Sequence, residues 1–259
     1  MIRQRLRGAL QRLRPALPLG RAGAAALWTA AELAVVETRM HRRAAGAPQE
    51  AVFEIEMRRW CRGLLRITGM HLHVIGQVPT TARARMVVAN HSTAVDIPIL
   101  LSIFGGSVLS RSDIADWPLL GYAAKRAQTI FVDRDSPRSG LQAIRSIREH
   151  LQRGRTVSVF PEGTTTAGDE LLPFSAGAFA ATRNLDIDIV PVGIAYPPGT
   201  AFTEDTFAEH IQNVCSHRRL DIYLCIGTPI SPKGRVKAIS SETQTAVQTL
   251  VTRARTASR

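Results

Sequence analysis

The sequence predicts an α/β fold with a mixed, largely parallel central sheet flanked by helices. Short runs of apolar, often β-branched residues alternate along the chain with longer segments whose apolar residues recur at helical spacing. Short polar clusters directly follow three of the apolar runs, as ligand-binding loops do at the strand ends of α/β proteins. The chain has 259 residues, 45% of them hydrophobic, which is enough to bury one large core.

The elements are predicted in chain order from these two periodicities. Strands are predicted at residues 72–76, 85–90, 128–132, 156–160, 188–196 and 220–227, where apolar runs are short. Helices are predicted at residues 53–67, 96–104, 117–126, 138–152, 176–183 and 241–253, where apolar side chains return every three or four positions. Because strands and helices alternate, crossover connections and parallel neighbours are expected.

The basic charge is concentrated at the two ends of the chain, which carries +12 in all. Residues 1–48 hold nine arginines against two glutamates, whereas residues 49–230 hold 18 basic and 18 acidic side chains. A basic extension on a neutral body indicates an anionic partner, either a membrane or nucleic acid. No nucleic acid partner is expected, because aromatic residues are only 5% and no nucleic-acid-binding motif is present.

Residues 1–48 are therefore predicted to be a basic helical membrane-associating extension, and residues 49–259 to form the main domain. In residues 1–14, leucine and isoleucine recur at helical spacing while the arginines lie off that stripe, a pattern typical of interfacial helices. A solvated basic terminus is the alternative. The apolar stretch at residues 22–36 contains Glu32 and is shorter than the roughly 20 residues of a spanning helix. It is expected to lie on a membrane or pack on the body, and residues 40–48 are expected to be a linker.

The three cysteines Cys61, Cys215 and Cys225 are an odd number, and no secretory pattern precedes them. This combination predicts reduced thiols in a protein that faces the cytosol. Together with the basic extension, it predicts location at the cytoplasmic face of the inner (plasma) membrane.

The first polar cluster, ANHSTAVDIPIL, places His91 five residues before Asp96. On one continuous helix these side chains would point ~140° apart, so they meet only if His91 lies in a loop and Asp96 begins a helix. Pro98 favours a helix start there. Asp96 would then orient His91 and leave the second ring nitrogen as a general base. Alternatively, Asp96 caps a helix and His91 ends a strand.

The second and third clusters follow later strands. In FVDRDSPR, Arg134 either binds phosphate as a guanidinium fork or forms surface salt bridges with Asp133 and Asp135. In VFPEGTTTAGD, the turn at Glu162, Gly163 and Thr164 either holds a polar ligand on its amides and hydroxyls or is an ordinary turn.

Taken together, the clusters resemble the glycerolipid acyltransferase family, the lysophosphatidate acyltransferases and their relatives. ANHSTAVDIPIL resembles that family's NHxxxxD block, and TIFVDR, VFPEGT and IVPVGI resemble its later blocks in the same order. The resemblance covers about residues 70–230 and identifies residues 49–259 as an acyltransferase domain.

The resemblance implies transfer of an acyl chain from acyl-coenzyme A or acyl-carrier protein to the free hydroxyl of a membrane lysolipid. The foremost expectation is 1-acyl-sn-glycerol-3-phosphate, giving phosphatidic acid. His91 would be the general base and Asp96 its orienting partner. No metal and no cofactor beyond the acyl donor are expected, because the thioester is already activated, and no GxSxG motif is present. The residues implied in substrate binding are Asn90, Arg134, Phe160, Pro161, Glu162, Gly163 and Thr164.

One position departs from the family pattern. The lysophosphatidate enzymes usually continue FPEGTR, whereas this chain has Thr165 in place of that arginine. A branch that acylates lyso-ornithine lipid resembles FPEGTT more closely, so lyso-ornithine lipid is the alternative acceptor. Arg138 is a candidate for the missing charge. Two readings of another class stay open: a metal-dependent hydrolase using His91 with nearby acids, and a non-catalytic membrane-binding protein.

Overall fold

The computed structural model describes residues 16–41, 49–117, 119–133, 135–166, 171–202 and 206–258. Seven strands form one sheet in the order β1-β7-β6-β2-β5-β3-β4. Strands β2 to β6 run parallel, while β1 and β7 run parallel to each other and antiparallel to β6. The mixed, largely parallel sheet is therefore confirmed. The strands are β1 (Met70–Ile75), β2 (Arg85–Ala89), β3 (Ser107–Arg111), β4 (Ile130–Val132), β5 (Thr156–Val159), β6 (Asp188–Ala195) and β7 (Leu220–Ile226).

Eight α-helices and one 3₁₀ turn at Ser112–Asp116 connect and cover these strands in the described part of the chain. The helices are α1 (Ala16–His41), α2 (Gln49–Ile67), α3 (Asp96–Phe104), α4 (Leu120–Arg126), α5 (Pro137–Gln152), α6 (Gly177–Ala180), α7 (Phe207–Ser216) and α8 (Val236–Ala257).

Most predicted elements are present, with differences at their ends. The helix predicted at residues 117–126 starts later, because Leu119 has a positive φ of 59° that ends the preceding turn. The helix predicted at 176–183 has four residues, and the last helix is longer than predicted. Strand β3 and helix α7 were not predicted from the sequence. In β3 (SVLSR) serine and arginine interrupt the short apolar run.

Strand β2 illustrates why the sheet lies in the centre of the molecule. All of its apolar side chains are buried, and successive residues face opposite sides of the sheet. Val87 and Ala89 pack with helix α3, whereas Met86 and Val88 pack with α5 and α8. A strand covered by helices on both faces has a continuous apolar run rather than an alternating one.

Helix α1 contains the apolar stretch predicted at residues 22–36, but it is 26 residues long. Within it, Leu17–Arg39 has a mean hydropathy of 1.2 and is long and apolar enough to cross a membrane by length and composition alone. The helix also packs on the body: Arg21 donates hydrogen bonds to the carbonyls of Thr68 (3.2 Å) and Arg218 (2.9 Å), just beyond the ends of α2 and α7. The predicted amphipathic segment at 1–14 and most of the predicted linker lie outside the described residues.

One charged side chain of α1, that of Glu32, faces inward. Glu32 is buried against α2, where its carboxylate accepts hydrogen bonds from Arg59 (2.7 and 3.1 Å). Arg59 also pairs with the buried Glu56 (3.0 Å) on its own helix. The glutamate that interrupts the apolar stretch in the sequence thus forms a contact between two helices.

Candidate active site

The site is built where parallel strands end. Strands β2, β5 and β6 are parallel, so the residues that follow each of them meet at one edge of the sheet. The loop after β2 carries His91, the loop after β5 carries the Phe160–Thr164 turn, and Tyr196 directly follows β6. The polar clusters after β2 and β5 are therefore brought together, as the sequence predicts.

His91 and Asp96 form the predicted contact. His91 lies in the loop, Asp96 is the first residue of α3, and His91 Nδ1 lies 2.8 Å from Asp96 Oδ2. The same oxygen accepts hydrogen bonds from the backbone N–H groups of Ser92 (2.8 Å) and Thr93 (2.9 Å). The loop between the two residues therefore curls around the carboxylate, which accepts hydrogen bonds from two loop N–H groups that precede the helix.

The second oxygen of Asp96 accepts a hydrogen bond from the hydroxyl of Tyr196. The side chain of Asp96 is fully buried, so all of its hydrogen-bond partners must come from the protein. Burial, together with the negative charge of Asp96, raises the pKa of Tyr196 well above its ordinary value. Tyr196 consequently keeps its proton and stays a donor throughout the neutral pH range.

The imidazole of His91 is held in one orientation. Its ring stacks on Phe160 with a centroid distance of 4.2 Å and an interplanar angle of 17°. Because the Asp96 carboxylate oxygen can only accept a hydrogen bond, Nδ1 of His91 carries the proton and Nε2 holds the lone pair. The side chain is 14% exposed, and Nε2 has no hydrogen-bond partner among the described residues. A base with an open nitrogen is the arrangement that proton abstraction requires.

Glu162 joins three segments around His91. Its Oε1 accepts the backbone N–H of His91 (2.9 Å), and its Oε2 accepts the backbone N–H of Leu172 (3.0 Å) and the hydroxyl of Thr166 (3.4 Å). Thr166 in turn donates its backbone N–H to the carbonyl of His91 (2.9 Å). Burial raises the pKa of Glu162. The carboxylate thus fixes the backbone of His91, and the role of Glu162 in acceptor binding stays a prediction.

The remaining residues predicted to bind substrate differ in their exposure. Asn90 is buried, and its amide exchanges two hydrogen bonds with the backbone of Ile194 (3.0 and 2.8 Å), which ties the end of β2 to β6. Pro161 is buried, whereas Thr164 is exposed. Gly163 has a φ of +76° and open space where a side chain would lie, so a ligand can approach its backbone closely. Their substrate contacts stay predictions.

The structure describes the residues on either side of the second cluster's central residue, Arg134. Arg134, the predicted anion ligand, lies outside the described residues. Its neighbours Asp133 and Asp135 are exposed, and the backbone N–H of Asp135 donates to the Asp133 carboxylate (3.1 Å). Arg138 is exposed near the start of α5, and Thr165 is half-buried in the turn after β5.

Two residues of the site were missed from the sequence. Tyr196 lies 100 residues after Asp96, and its position directly after a buried strand was the available signal. His210 on α7 is fully buried, stacks on Phe202 (4.3 Å between centroids) and accepts the backbone N–H of Ala94 through Nε2 (3.3 Å). Because Ala94 lies between His91 and Asp96, helix α7 also supports this loop.

In the described part of the chain, no three His, Cys, Asp or Glu side chains are grouped so that they could hold a metal ion. The site consists instead of an oriented histidine–carboxylate pair at the open edge of an α/β sheet. Its chemical capacity is to remove a proton from a group that approaches Nε2 of His91.

Comparison with known proteins agrees with this reading. A family model described as Acyltransferase matches residues 71–195, which contain the His91–Asp96 pair and the Glu162 turn. The lyso-ornithine lipid O-acyltransferase of Pseudomonas aeruginosa is 30% identical over 217 residues, covering 81% of this chain and 83% of that protein. The 1-acyl-sn-glycerol-3-phosphate acyltransferase of Neisseria meningitidis is 33% identical over 135 residues, about half of each chain (52% and 53%).

A solved structure has the same fold. The crystal structure of the 1-acyl-sn-glycerophosphate acyltransferase of Thermotoga maritima aligns with a TM-score of 0.76 at 20% identity, covering 92% of this chain and 94% of that one. The chain belongs to the acyltransferase family, and the predicted family membership and enzyme class are confirmed.

Proposed function

We propose that this acyltransferase moves an acyl chain from an acyl thioester to the free hydroxyl of a membrane lysolipid. The observation that carries the proposal is the hydrogen bond between the buried Asp96 carboxylate and Nδ1 of His91. This hydrogen bond leaves Nε2 of His91 free to act as the base. The relatives named above act, by their names, on lyso-ornithine lipid or on 1-acyl-sn-glycerol-3-phosphate, both of which are lysolipids.

The proposed reaction uses this geometry. Nε2 of His91 removes the proton from the acceptor hydroxyl while the hydroxyl oxygen attacks the thioester carbonyl carbon. Asp96 stabilises the imidazolium that forms, and the C–S bond breaks as the ester bond is completed. The imidazolium then returns its proton to the departing thiolate. General-base help of this kind contributes roughly 10²–10⁴ in rate.

The acyl donor in this proposal is acyl-coenzyme A or acyl-carrier protein, and no cofactor takes part. The thioester is the activated electrophile, and the acceptor oxygen is the nucleophile. The three cysteines are buried free thiols, so none of them is placed to attack a donor in solution.

Membrane association is part of the proposal, because the acceptor and the product are lipids. Helix α1 turns Glu32 inward and leaves Leu17, Leu19 and Leu27 exposed, the last by 74%. Leucine on the outer face of a helix rich in small apolar residues favours contact with lipid. Free thiols fit a cytosol-facing protein, so we place the enzyme at the cytoplasmic face of the inner membrane, with its basic extension on the anionic lipid surface.

Two acceptors are distinguished by one position. 1-Acyl-sn-glycerol-3-phosphate carries a phosphate monoester, for which Arg134 is the proposed ligand. Thr165 stands where the related lysophosphatidate enzymes usually have an arginine, so this turn has one positive charge fewer. The smaller charge favours the second candidate acceptor, lyso-ornithine lipid. The long match to the Pseudomonas protein supports the same candidate.

The test is acyl transfer by the purified full chain from acyl-coenzyme A and from acyl-carrier protein, with lysophosphatidate and lyso-ornithine lipid offered in parallel. Product lipids are separated and identified by mass spectrometry. We expect His91→Ala to abolish transfer. His71→Ala is the matched control, because His71 is an exposed histidine on the edge strand β1. Activity of His91→Ala near that of His71→Ala would refute the mechanism. Preference for one acceptor decides between the two candidates.

A further inference from the structure

Helix α7 places a second histidine against the loop that carries His91. His210 is fully buried, and the backbone N–H of Ala94 donates a hydrogen bond to its Nε2 (3.3 Å). A backbone N–H can only donate, so Nε2 of His210 holds a lone pair and the ring is neutral. The ring of Phe202 stacks on this imidazole with an interplanar angle of 12°. His210 is therefore a fixed hydrogen-bond acceptor for the segment between His91 and Asp96.

The loop from His91 to Asp96 is held near both of its ends by side chains from other parts of the chain. Near the first end, Oε1 of Glu162 accepts the backbone N–H of His91 (2.9 Å). Near the second end, His210 accepts the N–H of Ala94, two residues before Asp96. The position of Asp96 relative to His91 depends on how the loop between them is bent. A shift of Ala94 would therefore move the carboxylate away from the base that it orients.

The loop after β6 takes part in the same contact. The backbone N–H of Phe202 donates to the carbonyl of Ser92 (2.8 Å), while the ring of Phe202 lies on His210. Asn213, on the same helix as His210, donates to the carbonyl of Gly199 in this loop (3.1 Å). Helix α7, the loop after β6 and the loop after β2 thus form one hydrogen-bonded unit around His210.

Helix α7 is itself fixed at its two ends. At its start, Thr206 and Glu209 form a capping box, in which each side chain bonds to the backbone N–H of the other residue. At its end, the guanidinium group of Arg21 on α1 donates to the carbonyls of Cys215 and His217, where the helix dipole favours a cation. A side chain on this helix consequently has a defined position from which to hold the loop.

We propose that His210 is a positioning residue of the acyl transfer: by accepting the N–H of Ala94 as a neutral imidazole, it keeps Asp96 in place and thereby keeps His91 oriented. This inference rests on the proposed function, in which His91 is the general base. His210 acts through the loop and does not touch the reacting atoms, so its loss should lower kcat and leave KM nearly unchanged. Misplacement of a reacting group by about 1 Å can cost 10²-fold, and the loss of one of several contacts to the loop should cost about tenfold.

Two substitutions separate the hydrogen bond of His210 from its packing. His210→Phe keeps a flat ring against Phe202 and removes the acceptor for Ala94. His210→Gln gives up the ring and offers a carbonyl oxygen at about the distance of Nε2 from the backbone. We expect kcat of His210→Phe to fall about tenfold with KM for both substrates within twofold of wild type. The kcat of His210→Gln should return to within about threefold of wild type.

Two control variants test whether general loosening gives the same effect. Val214 lies one turn further along α7, is 1% exposed and has no hydrogen-bonding side chain, so Val214→Ala removes packing from the same helix. It should lower the melting temperature and leave kcat within about twofold of wild type. His150→Phe replaces a half-buried histidine on α5 and should leave kcat unchanged. The proposal is overturned by wild-type kcat in His210→Phe, by His210→Gln as slow as His210→Phe, or by an equal fall in Val214→Ala.

Hydrogen–deuterium exchange tests the hydrogen bond without catalysis. Mass spectrometry of peptides from residues 89–100, with fragmentation that resolves the Ala94 amide, compares wild type with the three variants of α7. Exchange at Ala94 should be at least about threefold faster in His210→Phe and close to wild type in His210→Gln and Val214→Ala. Unchanged exchange in His210→Phe shows that His210 does not hold the loop and overturns the proposal. If wild type consumes no acyl donor, the proposed function fails, whereas exchange still decides whether His210 holds the loop.

Discussion

Tyr196→Phe tests the part of the active site that lies furthest from His91 in the sequence. The change removes one hydroxyl, which donates to Asp96, and keeps the buried ring. A hydrogen bond to a charged group contributes about 1.5–3 kcal/mol. Asp96 keeps three other donors, from His91, Ser92 and Thr93, so we expect the loss to lie at the lower end of this range.

At about 1.4 kcal/mol per factor of ten, the expected fall in kcat is about tenfold. KM for both substrates should change less than twofold, because Tyr196 contacts Asp96 and acts through it.

The assay measures kcat and KM for acyl transfer by wild type, Tyr196→Phe and the control Tyr223→Phe. Tyr223 is a half-buried tyrosine on β7 that stacks on His73, 4.6 Å between ring centroids, and does not contact Asp96. The control should match wild type. A Tyr196→Phe variant with wild-type kcat would show that the hydroxyl does not position Asp96 during the reaction.

Three further predictions concern protonation, backbone and thiols. Because burial raises the pKa of Glu162, the contribution of its carboxyl group to stability falls as pH rises above the ordinary value of 4.5. The melting temperature of wild type minus that of Glu162→Gln should therefore be smaller at neutral pH than at pH 4.5, and a pH-independent difference contradicts this. Gly163→Ala should lose about 1 kcal/mol in denaturant unfolding because φ is +76°, and Gly163→Asn should lose less; equal losses point to a cause other than φ. Burial raises the pKa of the Cys61 thiol, so a thiol reagent should label it only after denaturation, as mass mapping of native and unfolded protein can check.

Local patterns were enough to predict most of the fold. Strands such as β2 and β6 are continuous apolar runs, and α5 repeats its apolar residues at helical spacing. Each of these elements can therefore be predicted from its own residues alone. Helix α1 was predicted too short because a run of apolar residues was taken to end at charged ones. In the structure the flanking residues Arg21 and Glu37 make hydrogen bonds to the body of the protein, with the carbonyl of Arg218 and the hydroxyl of Tyr122, and the helix continues through them.

The candidate site could be predicted only in part, for a related reason. The contact of His91 with Asp96 spans five residues and follows from a loop and a helix start. Tyr196 and His210 contact this segment across 100 and 116 residues of sequence, and the strand order and the position of α7 decide which residues they meet. Such a contact leaves no local pattern in the sequence, because the two residues are far apart along the chain and only the order of strands in the sheet brings them together.

The structure also gives a physical reason for a glutamate in the turn after β5. Asp96 holds the ring of His91, while Glu162 and Thr166 bond to its backbone N–H and carbonyl. The base is therefore fixed at both its side chain and its main chain, by groups from two different loops. A general base works only when its nitrogen lies within hydrogen-bond distance of the reacting hydroxyl, and misplacement by about 1 Å can cost 10²-fold in rate. Since a tether from one loop would leave the backbone of the other free to shift, we expect the orientation that Asp96 gives to His91 to depend on the pairing of the two loops through Glu162.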